Sequence, residues 1–188
     1  LALRRLASPA IVQFLNDAEP HLVLEAARAI NDVPMEAGQQ ALALLADRPD
    51  LSDPLVRRVI NANFRVGTRE SVGALAMLAA NGELSETLRL EAIDALQDWD
   101  KPEPTDRVTG CWRPLPPRSL DGLAEVIRPH LGGIFSGSDA IRQAGVKLSA
   151  KYGIKEVVPA LMALVADANQ AEPTRVADIE VARAKRGS

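Results

Sequence analysis

The side chains in this sequence best suited to chemistry are few and scattered. His21 and His130 are its two histidines, and neither opens a His-Glu pair or a His-x-x-x-His spacing that would set two ligands on one helical face. Each follows a proline, Pro20 or Pro129, and reads as an ordinary surface or cap residue. Cys111 is the single cysteine, so neither an internal disulfide nor a multi-thiolate zinc site can form. Gly-x-Gly-x-x-Gly, a P-loop and Cys-x-x-Cys-His are missing, so nothing here supports dinucleotide, nucleotide or covalent haem binding. The carboxylates of Glu25, Asp32, Glu91, Asp94 and Asp98, with Arg28, recur at matching places of two segments. Paired carboxylates can do acid-base work or hold Mg²⁺, but repeated placement is what a solvated or inter-repeat face produces. No catalytic residue, cofactor-binding residue or metal ligand is assigned, and no cofactor is expected in this chain.

The elements that would carry these side chains are helices. The chain has 188 residues, 47% hydrophobic but only 3% aromatic, and an interior of small and aliphatic side chains suits close-packed helices better than a sheet. The longest apolar run, residues 74–80, is far short of the roughly 18 to 20 residues that span a bilayer, so no membrane insertion is expected. Leu1-Ala-Leu-Arg-Arg-Leu6 reads as the middle of a helix, from which a piece of a longer protein is expected.

Self-comparison gives the architecture. Pro20–Ile30 aligns without gaps on Pro54–Phe64 and on Glu86–Leu96, and further copies start at Asp139 and Pro173. Each follows a shorter apolar segment: Pro9 to Leu15, Glu36 to Ala46, Glu70 to Ala80, Leu120 to Phe135 and Ile154 to Val165. Glu19-Pro20, Asp53-Pro54 and Glu172-Pro173 place proline at the first helical position behind an acidic residue. The expected fold is all-α, a right-handed α-solenoid of about five HEAT-like hairpins in one domain, 1–188. Residues 98–118 form an inserted loop between the third and fourth repeats, holding both tryptophans, Cys111 and five of the 13 prolines. A long ordered loop on such a scaffold is often functional.

Alignment of the copies singles out residues that break the pattern. Asn61 stands where Ala27 and Ile93 stand, and Asn63 where Ala29 and Ala95 stand. A buried amide needs partners, so these two are expected to bond to the backbone of the adjacent inserted loop; the other reading is a polar contact for a partner on the concave face. Trp112 and Arg113 are of the types enriched at binding hot spots, yet Trp112 would equally plug the gap an insertion opens in the core. Arg57, Arg58 and Arg65 form a small basic spot. Residues 1–98 nevertheless carry 9 basic and 14 acidic groups, which repels phosphate, and no nucleic-acid partner is expected. The candidate partner-binding residues are Asn61, Asn63, Arg65, Arg107, Trp112 and Arg113.

Two stretches, Asn61-Ala-Asn-Phe-Arg-Val-Gly67 and the loop with Asp98-Trp99, Pro102 and Asp106-Arg-Val-Thr-Gly-Cys-Trp-Arg-Pro-Leu-Pro-Pro-Arg118, resemble the HEAT-repeat segment of multidomain membrane-bound-dehydrogenase-like proteins of planctomycetes and verrucomicrobia. The resemblance implies a sugar-dehydrogenase-like propeller before the repeats, a c-type cytochrome after them, and a periplasmic or extracytoplasmic setting. It implies for this chain a non-catalytic interaction and spacer module, monomeric as a fragment, whose partners are proteins. The alternatives are an adaptor binding a separate protein or peptide on the solenoid face, or a HEAT-like enzyme of the bilin lyase or metal hydroxylase type.

Overall fold

The computed structural model describes residues 5–6, 8–33 and 35–155, and among these every regular element is helical. A 3₁₀ helix over Pro9–Asn16 precedes α1 (Pro20–Asp32). Helix α2 (Glu36–Ala43) tightens into a 3₁₀ turn, Leu44–Asp47, ahead of α3 (Asp53–Val66). Helices α4 (Arg69–Ala80) and α5 (Glu86–Gln97) lead into the loop. Beyond it come α6 (Ala124–Ile127), a 3₁₀ turn at Arg128–His130, α7 (Leu131–Phe135) and α8 (Asp139–Lys151). None of the described helices is long and apolar enough to cross a membrane. The expected fifth hairpin, from Ile154 through the copy at Pro173, lies outside the described residues apart from Ile154 and Lys155.

Local chemistry sets the boundaries. Helix α1 opens on Pro20 behind Glu19, as the Glu-Pro pair predicts. In α3 the helix starts one residue earlier than expected: Ser52 is the cap, Asp53 the first helical residue and Pro54 the second. The Thr68 hydroxyl accepts the Ser71 N–H to start α4, and the Ser138 hydroxyl accepts the Ile141 N–H to start α8. The single helix expected over Leu120–Phe135 is instead broken in three. Pro129 supplies no N–H and its ring collides with the carbonyl four residues earlier, so the chain passes through a 3₁₀ turn there.

Within each hairpin the first helix packs on the second, and successive hairpins lie side by side. Helix α1 packs on α3, α3 on α5 and α5 on α8, while α2 packs on the Pro9–Asn16 helix and α4 on α6 and α7. The apolar stripes these contacts cover are made of Ala, Leu, Ile and Val, with Ala27, Ile30, Val59, Leu75, Ala92 and Ile93 fully buried. Polar staples join neighbours: Arg58 pairs with Asp32 at 2.7 Å and Arg57 with Glu91 at 2.8 Å. Buried Arg89 donates to the carbonyls of Ala79 and Gly133, tying the third hairpin to the fourth. Of the carboxylates read as a repeated stripe, Asp32 and Glu91 form inter-repeat pairs, Glu25 pairs with Arg28 within α1, and Asp98 pairs with Arg107.

Candidate functional site

The inserted loop lies across the second helices of the first three hairpins and draws on residues from each. It leaves α5 at Asp98 and turns Trp99 into the interior, where that ring is 2% exposed and meets Phe64 of α3 edge-on, centroids 6.1 Å apart. Two guanidinium groups cover the pair. Arg118 sits 4.7 Å above the Trp99 ring and 5.1 Å above Phe64, and Arg107 lies 5.2 Å from Phe64. Arg118 Nη1 donates to the Phe64 carbonyl at 2.6 Å and its backbone N–H to the Asp100 carbonyl at 3.1 Å. Arg107 pairs with Asp98 at 2.7 Å. Burial, and Arg65 nearby, lower the pKa of the Arg118 guanidinium.

The middle of the loop folds back on itself. Thr105 and Trp112 form an antiparallel bridge, Asp106 N–H donates to the Cys111 carbonyl and Arg113 N–H to the Pro104 carbonyl. Asp106 holds the tip together and fastens it to the helices. Its Oδ1 accepts from the N–H groups of Val108 and Thr109 and from the Thr109 hydroxyl; its Oδ2 accepts from Asn61 Nδ2 at 2.9 Å and Arg113 Nη1 at 3.0 Å. Burial of this carboxylate favours the neutral acid, but the bonds from Thr109, Asn61 and Val108 outweigh it, and its pKa stays below the ordinary aspartate value. With its lone pairs committed, Asp106 acts as a fixed structural anion rather than a base.

Each residue singled out from sequence takes a definite place. Asn61 is buried, and its amide bridges Asn31 Oδ1 at 2.7 Å to Asp106, so it meets the loop through a carboxylate and not through backbone as expected. Asn63 does not meet the loop. It donates to the carbonyls of Ala43 and Val59, because residues two apart on a helix point to opposite sides. Both amides are buried, Asn61 being 1% and Asn63 3% exposed. Arg65 donates to the Arg113 carbonyl and lies 3.8 Å from Asp106; burial and Arg113 lower its pKa. Arg113 also donates to the Asn31 carbonyl and pairs with Glu36. The two open readings of Trp112 are separated by burial: it is 73% exposed, and Trp99 fills the core instead.

Asp106, Asn31, Trp99 and Arg118 complete the network, and sequence reasoning had not assigned them a role. Asp-x-x-Thr-Gly at 106–110 carries a turn signal that points to Asp106, with Gly110 at φ 68 supplying the left-handed residue. Asn31 carries no signal, since Arg65 and Gln97 hold the equivalent places.

An open groove of about 500 Å³ runs beside the loop, walled by Arg57, Glu91, Asp94, Glu103, Thr105 and Arg107 among others. A second hollow, about 290 Å³, lies on the opposite layer and includes Asn63, Met77 and His130, whose imidazole pKa is lowered by burial. Among the described residues no group of three or more His, Cys, Asp or Glu is placed to hold a metal ion. No family model matches this chain, and comparison with the curated proteins and with the solved structures found no match.

Proposed function

We propose that the chain is a non-catalytic interaction and spacer module, its hairpins continuing as a right-handed HEAT-type solenoid, with the inserted loop as its dock. One observation carries the reading. The more exposed of the two tryptophans sits on a loop whose three arginines, Arg107, Arg113 and Arg118, are spent on holding it still. A large flat side chain left in water at the head of a fixed support loses little conformational freedom when a partner covers it. In a multidomain parent of the kind the resemblance implies, the partner is a neighbouring propeller or cytochrome domain, and the repeats set the distance between them.

Gel filtration with light scattering tests this, using the chain alone and mixed with the segments that flank it in its parent. Co-elution with one of them, weakened at least tenfold by Trp112→Ala, is the expected result. Because Trp112 is exposed, that substitution leaves folding stability within about 0.5 kcal/mol. A chain that ignores both neighbours, or binds one equally well without Trp112, overturns the reading.

A further inference from the structure

Beyond its tip the loop runs Trp112-Arg-Pro-Leu-Pro-Pro-Arg118, and its side chains sort by face. Trp112, Pro114, Pro116 and Pro117 are exposed, whereas Arg113, Leu115 and Arg118 turn inward. Arg113 is held by Asn31 and Asp106, Leu115 packs against the core, and Arg118 is held by the Phe64 carbonyl and the Phe64 and Trp99 rings. The prolines fix φ near −65°, and a residue preceding proline is driven into the extended or polyproline region, which here applies to Arg113, Leu115 and Pro116. The strap is thus preset to a polyproline-like course, and its two ends are fastened.

This chemistry selects one kind of occupant. Pro114, Pro116 and Pro117 carry no N–H, so a partner strand cannot pair along this edge. The carbonyls of residues 114–117 accept no hydrogen bond among the described residues and are free to accept from outside. A row of flat, uncharged rings with unpaired carbonyls between them fits a groove of stacked aromatic side chains that donates through indole N–H or phenol O–H.

We propose that the 112–117 strap is a built-in polyproline-type ligand, read by a partner domain through an aromatic-lined groove. The proposal rests on the docking reading above and names the partner's chemistry. Unlike a free proline-rich peptide, this segment has already been ordered by folding, so association costs less entropy.

The test uses purified WW, SH3 and EVH1 domains as probes, titrated onto the ¹⁵N-labelled chain with the Trp112 indole resonance as reporter. At least one is expected to bind and shift that resonance, at least tenfold more tightly than it binds the free 110–119 peptide. Trp112→Ala and the double variant Pro114→Ala/Pro116→Ala should each weaken binding at least tenfold while the far-ultraviolet circular dichroism stays unchanged. If none of the three domains binds, or if binding survives both variants, the inference fails. Trp112-dependent co-elution with a flanking segment alongside three silent probes would keep the docking reading and reject the polyproline one; a probe that binds while both flanking segments stay apart would do the reverse.

Discussion

Asp106 decides whether the loop is fixed or loose, and its chemistry fixes the sign of a pH effect. Its carboxyl pKa is lower in the folded chain than in the unfolded one, because the bonds from Thr109, Asn61 and Val108 outweigh burial. Such a group contributes its full stabilisation above the unfolded pKa of about 3.9 and loses it as pH falls through the folded value. Acid is therefore expected to loosen the loop from about pH 4 downward, with no contribution from this group to any change above about pH 5. Asp106→Asn keeps the shape but turns an NH₂ toward donors on whichever side it faces, Asn61 and Arg113 or Val108 and Thr109. Removing the charge that Arg113 pairs with should cost about 3 kcal/mol at pH 7 and flatten the acid limb of a urea-midpoint profile. A variant as stable as the parent at pH 7, or one with the same acid limb, would show that the carboxylate does not hold the loop. The amides illustrate what sequence can say at this scale. Alignment of the copies marked Asn61 and Asn63 as out of place, but the choice of partner followed from side, which only the helix phase and the loop's path determine.

Among the elements, the junction of α3 with the loop shows how one residue serves two neighbours. Gly67 ends α3 at φ 73, its N–H on the Asn63 carbonyl, and a Cβ built there would lie 3.0 Å from Arg118 Cζ. Gly67→Ala thus meets two costs: about 1 kcal/mol for a left-handed L-residue, and the displacement of the guanidinium that roofs Trp99. The expected result is a loss of about 2 kcal/mol with acrylamide gaining access to the Trp99 indole. Gly67→Asn should recover part of the backbone cost but not the shielding, since asparagine tolerates this conformation yet crowds Arg118 as well. Unchanged stability and quenching in Gly67→Ala would mean that Arg118 shifts at no cost and is not the roof. The repeating helices were legible because the apolar stripe and the proline starts recur at nearly constant spacing. The break in the first helix of the fourth hairpin departs from the single helix expected over Leu120–Phe135, although its cause, Pro129, is local and strong. The path of the 98–118 loop was not legible, since its contacts reach back as far as Asn31, 82 residues before Arg113, and no local preference encodes a pairing at that range.

Across the whole molecule the loop changes the way the hairpins hold together. An array in which each unit touches only its neighbours unfolds in pieces, its stability a sum of unit and interface contributions. Here Arg113 grips the end of α1 through the Asn31 carbonyl and α2 through Glu36, Arg118 grips α3, and Arg107 grips the end of α5. Lys151 of α8 binds Asp100 and the Gln97 carbonyl, so the fourth hairpin is fastened to the root of the same loop. A segment that bonds to every hairpin described couples units that would otherwise open independently, and it should make hydrogen exchange in α1 report on the loop. Arg113→Ala removes the bond to the α1 carbonyl and leaves Asp106 with only the more distant Arg65 as cation, at a cost of about 3 kcal/mol. In the parent, amides of α1 and α5 should exchange through one common opening; in the variant, protection in α1 should fall at least a hundredfold while α5 and α8 keep most of theirs. Arg28→Ala is the control, because its exposed pair with Glu25 lies within α1 and a pair of that kind contributes little. Equal loss of protection in all four hairpins would mean that the array is already one cooperative body without the staple, and no loss in α1 would mean that neighbour packing alone holds the first hairpin. Only a selective loss in α1 fits a loop that braces the first hairpin, its inward-facing arginines fastening helices that neighbour packing alone would leave free to open.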